Sequence, residues 1–119
     1  MPEPLSTDQR RVLHVLGFML FRMGLDERAG RVYAALAATE REDAPDRKAH
    51  AALAAVAIRR GDGEKALAEL EKAMGGGLST RGAAMLLMKA QALWIAGRKS
   101  EARAAVDEYM YVAGNGERA

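Results

Sequence analysis

Cysteine is absent from the 119 residues, so neither disulfides nor thiolate chemistry belong to this chain, and a reducing compartment suits it. Aromatics make up only 5% of the residues, and valine, isoleucine and threonine are scarce, so little here favours a pleated strand. Alanine and leucine carry most of the apolar half of the composition, and both favour helix. No block of like charge occurs. The 18 Lys and Arg residues are interleaved with 16 Asp and Glu, leaving a net charge of +2 and no basic stripe to track phosphates, so nucleic acid is not an expected partner. The densest apolar stretch, Val12 to Phe21, is ten residues long and contains His14. A membrane span needs about 20 apolar residues, so this stretch reads as a core or groove helix and no membrane insertion is expected. The opening residues lack a basic segment followed by an apolar one and a small-residue cleavage site, which predicts a cytoplasmic protein.

What the chain does have is a pattern repeated at steps of 37 and 36 residues: Gly24-Leu-Asp-Glu-Arg-Ala29, Gly61-Asp-Gly-Glu-Lys-Ala66 and Gly97-Arg-Lys-Ser-Glu-Ala102. Before each glycine runs a mostly apolar helical segment, and a second amphipathic one begins near the alanine. That is the signature of a helical hairpin repeat, an architecture used for binding far more than for catalysis. The spacing predicts one domain over 1–119, with repeats at about 8–40, 45–74 and 79–112 and a frayed tail at 113–119.

Local signals place the helix ends. Thr7 or Asp8 suits an N-cap for a first helix to about Met23, Asp26 caps a second to about Thr39, and Pro45 or Asp46 opens a third to Arg60. Asp62 caps a fourth helix to about Met74, where Gly75-Gly76-Gly77 breaks it. Ser79 or Thr80 opens a fifth through Ala96, and the sixth follows Lys99 or Ser100 to about Val112. Seven residues before each turn glycine stand Gly17, Ala54 and Ala90, all small; five after it stand Ala29, Ala66 and Ala102, and nine after it Tyr33, Leu70 and Val106. Small positions opposite bulky ones let paired helices interdigitate, so these triplets are expected in the core.

The spacings resemble the tetratricopeptide repeat over roughly Gln9 to Val112, which implies an all-α fold of three hairpins in a short superhelix with a concave groove. A narrower string, comprising Gly17, Gly24-Leu-Asp-Glu27-Arg28-Ala29, Ala35-Leu36, Gly61-Asp62-Gly63-Glu64, Lys89-Ala90-Gln91-Ala92-Leu93, Ala102-Arg103 and Tyr109, looks like the small YscY-type chaperones of type III secretion systems. That resemblance implies a cytosolic chaperone that binds a small early-secreted YscX-type protein and, with it, engages the export-gate component. A chaperone for a needle subunit and a general repeat adaptor remain alternatives at this point.

If the concave face forms as in tetratricopeptide proteins, it is lined by Arg11, His14, Phe18 and Phe21 in the first repeat. Lys48, Ala51, Ala55 and Ile58 follow in the second, then Ala84, Leu87, Gln91 and Trp94 in the third. Aromatic anchors with alanines between them would leave room for an inserted segment, while Arg11 and Lys48 would stand at the rim. Met19, Met23, Met85 and Met88 suit either an adaptable binding surface or gap-filling in an alanine-rich core. His14 and His50 lie in different repeats without carboxylates at metal-ligand spacing, so no metal site is expected. The carboxylates of Glu40 to Asp46 and of Glu69 and Glu71 read as solvated groups with ordinary pKa values. No nucleophile has an adjacent base, and Gly75 to Gly77 lacks the lysine of a phosphate loop, so neither an enzyme nor a cofactor is expected.

Overall fold

The computed structural model describes residues 5–75 and 82–118, with side chains through residue 114. It is all-helical: α1 (Thr7–Arg22), α2 (Asp26–Ala38), α3 (Arg47–Arg59), α4 (Gly63–Met74), α5 (Gly82–Ile95) and α6 (Lys99–Arg118). Among the described residues there is no strand, only an isolated bridge between Arg41 and Ala44 in the α2–α3 connection.

Side-chain caps set three of the starts. The Ser6 hydroxyl accepts from the Gln9 N–H at 3.1 Å while the Gln9 side chain accepts from the Ser6 N–H at 2.8 Å, so a reciprocal capping box begins α1 at Ser6, ahead of the expected Thr7 or Asp8. Asp46 caps α3 by accepting from Ala49 N–H at 3.0 Å, and Asp62 caps α4 through Lys65 N–H at 3.1 Å. Asp26 does not cap α2. Leu25 holds that position without a side-chain bond, and Asp26 pairs with Arg59 of α3. The expected caps of α5, and Gly76 and Gly77, lie outside the described residues.

The three repeated glycines do the same backbone work. Gly24, Gly61 and Gly97 have φ of 78°, 79° and 81°, a left-handed conformation that strains any side chain. Each donates its N–H to the carbonyl three residues back, and the following residue donates to the carbonyl five back: Leu25 to Leu20, Asp62 to Ala57 and Arg98 to Leu93, all at 2.8 to 2.9 Å. These paired bonds close α1, α3 and α5 as Schellman motifs, after which the chain enters α2, α4 and α6.

α6 departs from the sequence expectation by continuing through 113–118 to Arg118 instead of fraying after Val112. Gly114 takes no left-handed φ, and a glycine within a helix costs only ~1 kcal/mol against alanine. Adding residues to four formed turns is cooperative, so that penalty does not stop the helix.

Each helix packs on its neighbours in sequence, most extensively within α1–α2, α3–α4 and α5–α6, and α3 also touches α5. The core is alanine-rich: Ala29, Ala49, Ala54, Ala66 and Ala92 are fully buried around Leu36, Leu70, Leu86 and Leu93. Small residues sit where helices come closest. A Cβ on Gly17 would lie 2.7 Å from the buried Tyr33 ring. The Cα radius of gyration is 15.0 Å, against about 13.5 Å for a compact domain of this length, so the helices form an elongated stack.

Candidate protein-binding cleft

The α5–α6 end of the stack carries an apolar cleft of about 560 Å³. Leu87, Ala90, Gln91, Trp94 and Ile95 line it from α5, while Ala102, Arg103, Val106 and Asp107 line it from α6, with Ile58 of α3 at one side. Trp94 is 57% exposed, Val106 42% and Leu87 41%, unusual values for large apolar side chains sharing a concavity. Lys99 lies over the Trp94 ring at 5.3 Å, covering one face without closing the cleft. Among the described residues, Arg103 and Asp107 are the charged ones that line it.

Of the sequence-predicted groove, Ile58, Leu87, Gln91 and Trp94 meet in this cleft. The others do not line it. Phe18 is 58% exposed on α1, Arg11 and Lys48 are exposed, and Ala51 and Ala55 are half-buried on α3. Phe21 lies under the Arg59 guanidinium, 3.6 Å from ring centroid to cation, while the same guanidinium donates to Phe21 O and to Asp26. That stack occupies the ring face a ligand would use. His14 turns toward Asp46, with Nε2 3.0 Å from Oδ2, and its ring lies 5.9 Å from that of Tyr33.

Sequence reading missed the α6 wall. It placed Val106 in the core beside its repeat equivalents Tyr33 and Leu70, which are 5% and 2% exposed. Those two are covered by the helix that begins the next repeat. α6 is followed by no further helix in the described residues, so the same position lies open.

A second feature, a polar seam along the first two hairpins, corrects the expectation of solvated carboxylates for Glu40, Asp46 and Glu69, while Glu42, Asp43 and Glu71 are exposed as expected. Arg10 donates to Asp46 and to Leu36 O, both at 2.6 Å, and to Thr39 O at 3.2 Å, tying α1 to the end of α2 and the start of α3. His50, 6% exposed, places Nδ1 2.7 Å from Glu69 and Nε2 3.1 Å from Glu40, while Glu40 accepts from the Asp46 N–H at 2.7 Å. Burial would raise the carboxyl pKa of Glu40 and of Asp46. For Glu40 the Asp46 N–H and the His50 ring outweigh it, and for Asp46 the Arg10 guanidinium, the Ala49 N–H and His14 do so; both carboxyls are held below their ordinary values. Burial would lower His50, but Glu69 and Glu40 raise it instead. Histidines and carboxylates far apart in sequence thus meet in space, yet among the described residues no three are arranged to hold a metal ion.

The seam gives stability a defined pH dependence. A raised histidine pKa contributes stability fully present below its ordinary 6.5 and lost as pH rises through the raised value. Depressed carboxylates contribute above their ordinary 4.5 and 3.8, and that contribution is lost as pH falls through the lowered values. The melting temperature should therefore be highest between pH 4.5 and 6.5 as far as these groups set it, and His50→Gln should flatten the decline on the alkaline side. A wild-type midpoint at about pH 8.5 equal to that at about pH 6 would contradict the assignment.

No family model, curated protein or solved structure matches the chain. No helix among the described residues is long and apolar enough to cross a membrane.

Proposed function

We propose that this chain is a chaperone of three tetratricopeptide-like hairpins, stacked as a short superhelix, whose last hairpin takes up an apolar segment of a client protein. The observation that carries the reading is the open cleft in which Trp94, Leu87 and Val106 remain exposed around about 560 Å³ of unfilled space. An apolar helix or extended segment seated there would remove these side chains from water, at about 25 cal/mol for each Å² of apolar surface buried. Arg103 and Asp107 at the rim would orient it through opposite charges. The resemblance of the repeat string to YscY-type chaperones names the client as a small early-secreted YscX-type protein, held in the cytoplasm and delivered to the export-gate component.

Trp94 is the sole tryptophan, so binding can be followed by its fluorescence. Titration with a YscX-type protein should shift its emission to the blue as the ring leaves water. At about a hundredfold excess over Kd, the ligand should stabilise the fold by about 2.7 kcal/mol through mass action. A needle subunit producing both changes, with the YscX-type protein inert, would transfer the reading to a needle chaperone. Neither protein producing them would overturn the secretion reading.

A further inference from the structure

The repeat shows what covers an open end of this stack. In the second hairpin, Ala54, Ile58, Ala66 and Leu70 form a receiving face, and α5 fills it with Met85, Met88 and Ala92, all joined in one apolar cluster. The preceding junction is built the same way, with Ala49, Ala52 and Leu53 of α3 packed around Tyr33 of the first hairpin. Advancing the receiving face by one repeat gives Ala90, Trp94, Ala102 and Val106, all four of which line the open cleft. Stepping the inserting face of α3 (Ala49, Ala52, Leu53, Val56) back one repeat gives Val12, Val15, Leu16 and Met19 of α1. These four are 65%, 55%, 42% and 53% exposed. Among the described residues nothing covers either face, and the two are the halves of an interface the chain already makes twice.

We propose that α1 of one copy docks into the α5–α6 cleft of a second copy, continuing the repeat between molecules. The contact is heterologous, so it leaves a free α1 and a free cleft at the ends of every assembly and grows with concentration instead of stopping at a symmetric dimer. The register brings Arg22 beside Lys99, where the internal junction pairs Arg59 with Asp26. Like charges there make the junction between copies weaker than the internal ones, so it fills only at high concentration. The inference does not rest on the chaperone reading, although a client in the cleft would compete with α1.

Sedimentation of the full chain over a wide concentration range tests it. The average mass should rise from 12.8 kDa to about twofold that value or more. Met19→Glu on α1 and Val106→Glu in the cleft should each stay at one chain's mass, with helical dichroism checking that both exposed positions tolerate the change. The deciding measurement is their mixture: the first variant keeps its cleft and the second keeps its α1, so together they should form a complex of two chains and grow no further. A wild-type chain monomeric to about 1 mM would overturn the proposal. So would loss of association by Met19→Glu alone, which would mean that α1 pairs with α1, or a mixture that stays monomeric although both variants are folded.

Discussion

Gly63→Ala should destabilise the protein while Gly114→Ala stabilises it, although both add one methyl group to a helix. A Cβ on Gly63 would stand 2.5 Å from Ala92 O and 2.7 Å from Ala96 N, main-chain atoms of α5 and its end that cannot swing aside as a side chain does. Either α4 retreats from α5 or the cluster of Ala54, Ala66, Leu70 and Ala92 between them opens. Overpacking of this kind typically costs ~1 to 3 kcal/mol, and gains in helix propensity at the first residue of α4 recover little. Among the described residues, a Cβ on Gly114 would meet nothing within 4 Å beyond its own helix, so alanine should add ~0.5 to 1 kcal/mol by restricting the unfolded chain. Chemical denaturation of the two variants beside wild type reads the difference directly. A Gly63→Ala midpoint at or above that of wild type would show that the α4–α5 contact is looser than these distances require.

The largest effect on binding is expected at Trp94. Trp94→Ser removes the biggest exposed apolar surface in the cleft, and loss of such an anchor typically costs ~2 kcal/mol or more, an affinity loss on the order of thirtyfold. Because the ring is 57% exposed and Ala90, Leu93 and Ala102 hold the hairpin together behind it, the helical signal and melting temperature should change little. Ile58→Asp is a poorer probe, since Ile58 packs against the buried cluster between α3, α4 and α5 and a charge there would loosen the fold. Phe18→Ser supplies the control. Phe18 is as exposed as Trp94 but lies outside the cleft, so client affinity should be nearly unchanged. Isothermal titration with the YscX-type protein separates the three. Equal loss from Phe18→Ser and Trp94→Ser would extend the binding surface to α1, and retention of full affinity by Trp94→Ser would remove the cleft from the site.

How much was legible beforehand differs between backbone and site, and for a physical reason. Turn glycines, acidic caps and alanines at close contacts act over a few residues, so the bounds of α2 to α4 and the left-handed turns at Gly24, Gly61 and Gly97 follow closely from local pattern. The small residue at Gly17 likewise has the reason expected of it, the Tyr33 ring. The face of a helix that becomes a site depends on what lies across from it. Repeat spacing gives Val106 the same role as Leu70, and what separates a buried leucine from a cleft-lining valine is that no helix among the described residues covers the latter. His50 shows the same limit. Its two carboxylate partners are ten and nineteen residues away, a distance no spacing rule reaches, and the Arg10–Asp46 pair spans 36.

The seam around Arg10, Asp46 and His50 also gives the two internal junctions opposite thermal characters. Between the first and second hairpins, ion pairs and hydrogen bonds reinforce the packing, and the desolvation penalty of charged pairs falls on heating. Between the second and third, alanine, leucine, isoleucine and methionine supply most of the contact, and apolar attraction weakens on cooling. Chilling should thus loosen α5 and α6 while α1 to α4 stay latched, whereas warming favours the charged junction relative to the apolar one. The hairpin that carries the cleft is the one whose attachment yields to cold, so the cleft should reshape more readily in the cold than in the warm.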